Sequence, residues 1–339
     1  MSDVIVTVGL DLAKNVFQVH GVDADGRVCV RRKLRRAEVA PFFANLPPCL
    51  VGMEACAWSH FWAREIARIG HEVRLMPPAY VNPYVKRGKT DASDAEAICE
   101  AVTRPTMRFV AVKSEDQQAV LMLHKTRELL VRQRTMQTNA LGAHLAELGI
   151  VAAQGVEGLS SLKTHFQKVL GSLPEHATAA LQTLIRMANF LVDEIEQLES
   201  RILEWHRTND ASRRLATIPG IGPITASAIA ANVPDASLFR TARQFAAWLG
   251  LTPRANSRGG KDRQMGISKQ GDCYIRRLLV SGASAVMRFA RQGDPGKAWL
   301  VGLKERKRPK VASVAQANKT ARIAWAILRR NEVFAARVT

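Results

Sequence analysis

The chain has 339 residues, is 47% hydrophobic with a mean hydropathy of −0.08, and carries 49 Lys and Arg against 30 Asp and Glu, a formal charge of +19. Two or three domains with sizeable cores are expected, which excludes a disordered chain. The sequence has no uncharged apolar run of about 18 residues and no basic-then-apolar leader, so neither a membrane span nor a signal peptide is expected. Its five scattered cysteines (Cys29, Cys49, Cys56, Cys99, Cys273) show no CxxC spacing and read as reduced cytoplasmic thiols, not zinc ligands or disulfides.

In chain order, the apolar run at 4–10 predicts a first strand, 16–22 a second and 27–34 a third, with the turn signal Asp23-Ala24-Asp25-Gly26 between the last two. A short helix over 36–45 ends before Pro47-Pro48. A fourth strand spans 49–54. A helix follows over 58–69, with Phe61, Trp62, Ile66 and Ile69 on its apolar face and Gly70 as its stop, and a fifth strand covers 71–76. Three strands in a meander followed by alternating helices and strands predict a mixed sheet with helices on its faces. This is the layout of ribonuclease-H-like nucleases, including the resolvase RuvC. Residues 116–146, with no Pro and only Gly142 and with mixed apolar and basic positions, and 178–206, where apolar steps of three and four dominate as in a coiled coil or helical hairpin, predict two long helices. Residues 150–175 join them, and the pair reads as a dimerisation or spacer arm, with a plain helical layer packed on the first domain as the alternative.

Four carboxylates stand out against this frame. Asp11 ends the first strand and Glu54 the fourth, where open α/β sheets place their sites. Asp91 and Asp94, in Lys89-Thr90-Asp91-Ala92-Ser93-Asp94-Ala95, share one face of the first turn of a helix. Either aspartate alone could serve as a cap or a dipole partner. Together the four form a hard-oxygen set suited to Mg²⁺ or Mn²⁺, and two such ions can activate the attacking oxygen and stabilise the leaving oxygen of a phosphodiester.

Charge is concentrated in the other half. Residues 201–339 carry 26 Lys and Arg against 8 Asp and Glu, which marks a polyanion-binding region. Within it, Ile218-Pro219-Gly220-Ile221-Gly222-Pro223 resembles a helix–hairpin–helix corner whose Gly220 and Gly222 would turn backbone N–H groups toward a phosphate; a buried helix–turn–helix corner is the alternative. A Gly- and cation-rich loop from Gly250 to Asp272 then runs into a helix. Arg254, Arg258, Lys261, Lys269, Arg276 and Arg277 are candidate nucleic-acid contacts, and Ser257, Ser268 and Tyr274 are candidate hydroxyl nucleophiles. No histidine follows His206, so a Ser-His pair drawn from this domain alone is impossible.

Several of these pieces, taken together, resemble the one-ten family of bacterial insertion-sequence transposases, which includes the Piv-type DNA invertases. They are Gly9-Leu10-Asp11-Leu12-Ala13-Lys14, Met53-Glu54-Ala55, Lys89 to Ala95, Ile218 to Gly222, Phe245 to Arg254 and Ile267-Ser268-Lys269-Gln270-Gly271. The Arg-x-x-Ser-x-Gly-Gly-Lys form from Arg254 to Lys261 resembles the subgroup that inserts at specific targets, although the loop is one residue shorter than in some members. The resemblance implies three domains: a RuvC-like catalytic domain over 1–112, a coiled-coil arm over 113–207 that mediates oligomerisation, and a basic transposase domain over 208–339. It further implies that Asp11, Glu54, Asp91 and Asp94 form a Mg²⁺-dependent acidic tetrad and that Ser257 is a nucleophilic serine. The implied partners are DNA (element ends and target), a structured guide RNA and further copies of the chain, in a dimer or tetramer associated with the bacterial nucleoid. A metal-dependent junction resolvase without a covalent intermediate is the rival reading.

Overall fold

The computed structural model describes residues 4–86, 90–151, 158–258, 261–291 and 298–335; of 255–258 and 261–264 the backbone alone is described. Two compact units are present. The first comprises Met1–Glu115 with Val233–Thr241, the second Asp116–Asn232 with Ala242–Thr339.

The first unit is built on an open five-stranded mixed sheet of order β3-β2-β1-β4-β5. Its strands are β1 (Thr7–Asp11), β2 (Val16–Val22), β3 (Val28–Arg35), β4 (Leu50–Glu54) and β5 (Glu72–Met76). β1, β2 and β3 form the antiparallel meander, and β4 and β5 run parallel to β1. Helices α1 (Val39–Ala44), α2 (Ser59–Ile69), α3 (Pro78–Val81) and α4 (Asp91–Val102) complete the unit. The meander-then-alternation read from the sequence therefore holds, with β1 beginning later than expected.

Strand periodicity sorts the side chains. Val8, Leu10, Val51 and Met53 face one core with Trp62, Ala63 and Ile66 of α2. Phe61 and Ile69, expected on the apolar face of α2, are largely exposed; the buried stripe is Trp62, Ala63 and Ile66. On the opposite face, Gly9 of β1 and Gly52 of β4 are register neighbours. A Cβ on Gly9 would lie 2.1 Å from the Ala95 carbonyl oxygen, and one on Gly52 would lie 2.7 Å from Cβ of Val102. The two glycines thus form a notch into which α4 is seated, backbone against sheet.

The second unit begins with the antiparallel pairing of α5 (Glu115–Glu147) and α7 (Glu175–Thr208). Trp205 Nε1 donates to Asp116 Oδ2 at 2.8 Å and Arg127 Nε donates to Glu199 Oε1 at 2.7 Å. At the far end Leu141, Leu145 and Leu181 close around Leu162 and Phe166 of α6 (Gly158–Val169), a helix inside the stretch expected to be a plain connection; Gln154 and Gly155 of that stretch lie outside the described residues. Leu129 and Met136 of α5 are exposed.

The remainder is helical: α8 (Asp210–Ala216), α9 (Pro223–Asn232), α10 (Ala242–Trp248), α11 (Cys273–Phe289), α12 (Ala298–Arg306) and α13 (Pro309–Arg330). α9 is buried on all sides from Thr225 to Ala231, which is why its sequence shows no amphipathic period. The loop expected before α11 contains instead a two-stranded antiparallel hairpin, β6 (Pro253–Arg258) and β7 (Lys261–Ile267). Its glycines and cations obscured a strand pattern that only cross-strand pairing stabilises. Among the described residues, no helix is long and apolar enough to cross a membrane.

Candidate active-site residues

Asp11 and Glu54 are the last residues of two adjacent parallel strands. Each follows its notch glycine by two residues, in Gly9-Leu10-Asp11 and Gly52-Met53-Glu54, so both project to the face that carries α4. The packing fixes the direction of α4. Ala95 and Cys99 lie against Gly9, Val102 lies against Gly52, and Cys99 Sγ is 3.8 Å from the Thr7 carbonyl. The helix therefore runs opposite to β1, and its first turn, with Asp91 and Asp94, lies at the strand end that bears Asp11 and Glu54.

The first turn of α4 does not need its aspartates as caps. Thr90 is the N-cap: its hydroxyl accepts from the Ser93 N–H at 3.2 Å, and the Ser93 hydroxyl accepts from the Thr90 N–H at 2.9 Å. Asp91 is exposed; Asp11, Glu54 and Asp94 are half-buried. Lys89 lies outside the described residues. The donor chemistry, four hard carboxylates at one sheet end, fits a divalent cation. Among the described residues, no group of three or more His, Cys, Asp or Glu is gathered closely enough to hold one.

In the second unit, Ser257 lies on β6 opposite Asp262, and Arg258 opposite Lys261 at the hairpin end. Gly259 and Gly260, together with the side chains of Ser257, Arg258 and Lys261, lie outside the described residues. Arg254 Nη2 donates to the Ser268 carbonyl at 3.0 Å, and Lys269 takes a left-handed backbone conformation with φ 57°. Arg276 Nη1 donates to the carbonyls of Leu249 (2.9 Å) and Gln270 (2.8 Å), which pins both ends of the segment containing the hairpin to α11. Arg277 pairs with Glu128 of α5. Gly220, at φ 87°, brings the α8–α9 corner against α11; a Cβ there would meet Val286 and the Gly282 carbonyl, while Gly222 is open. Gly220 thus serves a close backbone approach within the helical core.

One network was not legible in the sequence. His124 of α5 is buried between Tyr274 of α11 and Ser227 of α9. Ser227 Oγ donates to the Pro223 carbonyl at 2.7 Å. His124 Nε2–H therefore donates to Ser227 Oγ at 3.1 Å, and Tyr274 O–H donates to Nδ1 at 3.0 Å. No histidine exists within 208–339, yet α5 supplies one to α9 and α11. Burial, aided by Arg127, pulls His124 down to about 4, and burial raises Tyr274. A phenol made less acidic and tied to a buried ring is a poor nucleophile, which leaves Tyr274 the weaker candidate. Its sequence signal was faint: a histidine three residues after Leu121 in a helix that mixes apolar and charged positions.

The network makes stability pH-dependent. Because the folded-state value lies below the unfolded 6.5, the unfolded chain takes up this proton first, so the contribution is complete above about 6.5 and is lost as pH falls toward 4. The expected loss is about 3 kcal/mol over that window. Urea unfolding at stepped pH checks it: His124→Gln should flatten the dependence across this range, and an unchanged slope contradicts the assignment.

Comparison with known proteins bears on the chain as a whole. Residues 212–295 match a family model described as "Transposase IS116/IS110/IS902 family", and residues 8–150 match a second model described as "Transposase". The chain is 50% identical over 335 residues to a probable family 20 transposase of Pseudomonas aeruginosa, covering 96% of this chain and 98% of that protein. It is 41% identical over 331 residues to the transposase for insertion sequence element IS1328 of Yersinia enterocolitica, covering 97% and 98%. A more distant similarity, 24% over 277 residues, covers 79% of this chain and 76% of the pilin gene-inverting protein of Moraxella bovis. With half of its residues shared with one full-length transposase and both halves matched by transposase models, this chain belongs to the IS116/IS110/IS902 family of bacterial transposases.

Proposed function

We propose that the chain cleaves and rejoins DNA at the ends of an insertion sequence and at its target, using an acidic tetrad and a serine nucleophile. The observation that carries the tetrad is the pair of Gly-x-acid strand ends beneath the first turn of α4. In this reading the first unit is a RuvC-like domain, supported by its sheet order and by the direction of α4. Asp11, Glu54, Asp91 and Asp94 would hold Mg²⁺ or Mn²⁺, which when bound supplies Lewis-acid stabilisation of phosphoryl charge. Ser257 is the nucleophile. Its Oγ–phosphorus bond forms as one phosphodiester P–O bond breaks, the serine hydroxyl's proton ends on the departing nucleoside oxygen, and the reverse attack restores a phosphodiester and returns the proton to Ser257 without an external energy source.

The domains would be those read from the sequence: 1–112 catalytic, 113–207 a coiled-coil oligomerising arm and 208–339 a basic domain with a helix–hairpin–helix-like corner. Gly222, Arg254, Arg258, Lys261 and Lys269 are the nucleic-acid contacts this reading favours; Gly220, Arg276 and Arg277 contribute by holding the corner, the hairpin segment and α11 in place. A structured guide RNA paired with DNA would supply sequence choice, leaving the protein to read shape and backbone.

The charge argument has its own test. The 26 cations against 8 acids beyond residue 200 should make binding of full-length protein to DNA or RNA steeply salt-dependent. Affinity is expected to fall by about 10³-fold or more between roughly 50 and 200 mM salt. Anisotropy titrations across that range check this; a flat response removes backbone neutralisation as the basis of binding. The recombination reading is tested by incubating purified protein, Mg²⁺, a substrate carrying element end and target, and RNA transcribed from the flanking DNA, then sequencing the junctions. Cleaved, unjoined ends alone would favour the resolvase reading instead.

A further inference from the structure

We propose that the groove between α10, α12 and α13 is a nucleotide pocket, which takes one unstacked base of a single strand together with its phosphate. The proposal deepens the reading above, resting on it only in that the chain handles nucleic acid. The groove has a volume of about 520 Å³, within the range of small-ligand sites, with Ala315 and Ile323 in its apolar lining and Trp299, Asn318, Lys319 and Arg322 as its larger and polar members. Among the described residues, no acidic residue lines it. Helix α13 bears Lys310, Lys319, Arg322, Arg329 and Arg330 and has no Asp or Glu.

The side chains define the ligand chemistry. Trp299 is 41% exposed, unusual for so large an aromatic surface, and the Lys319 ammonium sits 4.3 Å from its ring centroid. An anion held by exposed Lys319 and Arg322 is thereby held next to an indole and an apolar floor. Phosphate alone has no use for the floor, and an apolar ligand has none for the cations; a nucleotide uses both. Asn318 Nδ2 donates to the Leu251 carbonyl at 3.0 Å, which fixes the amide and leaves Oδ1 as the acceptor it can offer to a base N–H. Leu251 lies two residues before β6, so the groove is tied to the start of the hairpin that carries Ser257. Bases within a duplex are stacked and cannot enter such a groove, whereas a single strand presents base faces that stack on aromatic side chains.

The test uses full-length protein and three labelled probes of roughly 12 nucleotides: a deoxythymidine strand, an abasic strand of equal length and the corresponding duplex. The wild type should prefer the thymidine strand to the abasic one. Trp299→Ala should weaken thymidine-strand binding about tenfold and remove that preference, with Trp299→Phe retaining most of it. Lys319→Ala and Arg322→Ala should weaken both single strands alike and each lower the salt slope by about 1. These two residues are exposed, so their variants test the groove even if Trp299→Ala fails to fold. A wild-type photo-crosslink to a 5-iodouracil strand should map to the peptide containing Trp299.

An unchanged thymidine preference in folded Trp299→Ala, or crosslinks confined elsewhere, overturns the pocket and leaves the recombinase reading standing. A change in self-association without a change in strand binding would make the groove an interface between copies and also overturn it. Wild-type protein that binds none of the probes overturns both readings.

Discussion

Asp11→Asn is expected to abolish DNA cleavage and rejoining while leaving the fold intact. The residue ends β1, beyond the buried positions Val8 and Leu10, and is half-exposed, so an isosteric amide creates no cavity and stability should change by less than about 0.5 kcal/mol. Activity should respond very differently. Loss of groups that merely orient metal ligands costs about 10- to 100-fold, so loss of a ligand should cost at least about 100-fold. A second measurement separates metal binding from chemistry. Mg²⁺ should raise the melting temperature of the wild type by mass action, and this rise should shrink in Asp11→Asn, Glu54→Gln, Asp91→Asn and Asp94→Asn alike. Full recombination by Asp11→Asn with an unaltered Mg²⁺ response would remove the tetrad from the mechanism.

Ser257→Ala should bind DNA with wild-type affinity and form no denaturant-resistant protein–DNA adduct. The serine lies on β6 in the hairpin whose segment is held at both ends by Arg276, so loss of one hydroxyl should leave the scaffold in place. Loss of the attacking atom should reduce rejoining to background, a change far beyond the few-fold effect of a lost surface hydrogen bond. Mass mapping of a trapped adduct decides between candidates. An adduct that survives Ser257→Ala and disappears in Ser268→Ala or Tyr274→Phe would move the nucleophile while preserving the recombinase. Cleavage that proceeds normally with no adduct in any variant would instead favour metal-dependent hydrolysis, the resolvase alternative.

The strand ends at Asp11 and Glu54 were legible because strand boundaries are written locally: an apolar run stops, a carboxylate follows, and the next element begins. The first turn of α4 was legible for the same reason, since Thr90 and Ser93 cap it through bonds no more than three residues apart. The long helices α5 and α7 were visible through their spacing, and their pairing is borne by contacts such as Trp205 with Asp116 and Arg127 with Glu199. Which faces of isolated helices would be covered was less legible. Phe61, Ile69, Leu129 and Met136 satisfy a helical period yet remain exposed, because periodicity reports which residues share a face and not which face finds a neighbour.

The mixed sheet of the first unit, the acidic residues at its strand ends, the basic character of residues 201–339 and the family resemblance were all readable from the order of residues. Tertiary structure alone decided that Gly9 and Gly52 stand side by side as the seat of α4, so that its acidic first turn lies at the right end of the sheet. It also decided that the cation-rich segment pairs with itself as β6 and β7, and that His124 reaches Ser227 and Tyr274 across 103 and 150 residues of chain. The difference is physical. Capping, turn chemistry and side-chain period act over a few residues and leave a trace in composition and spacing, whereas close backbone approach, strand pairing and buried hydrogen-bond networks depend on residues far apart in the chain whose fit exists only once the fold has formed.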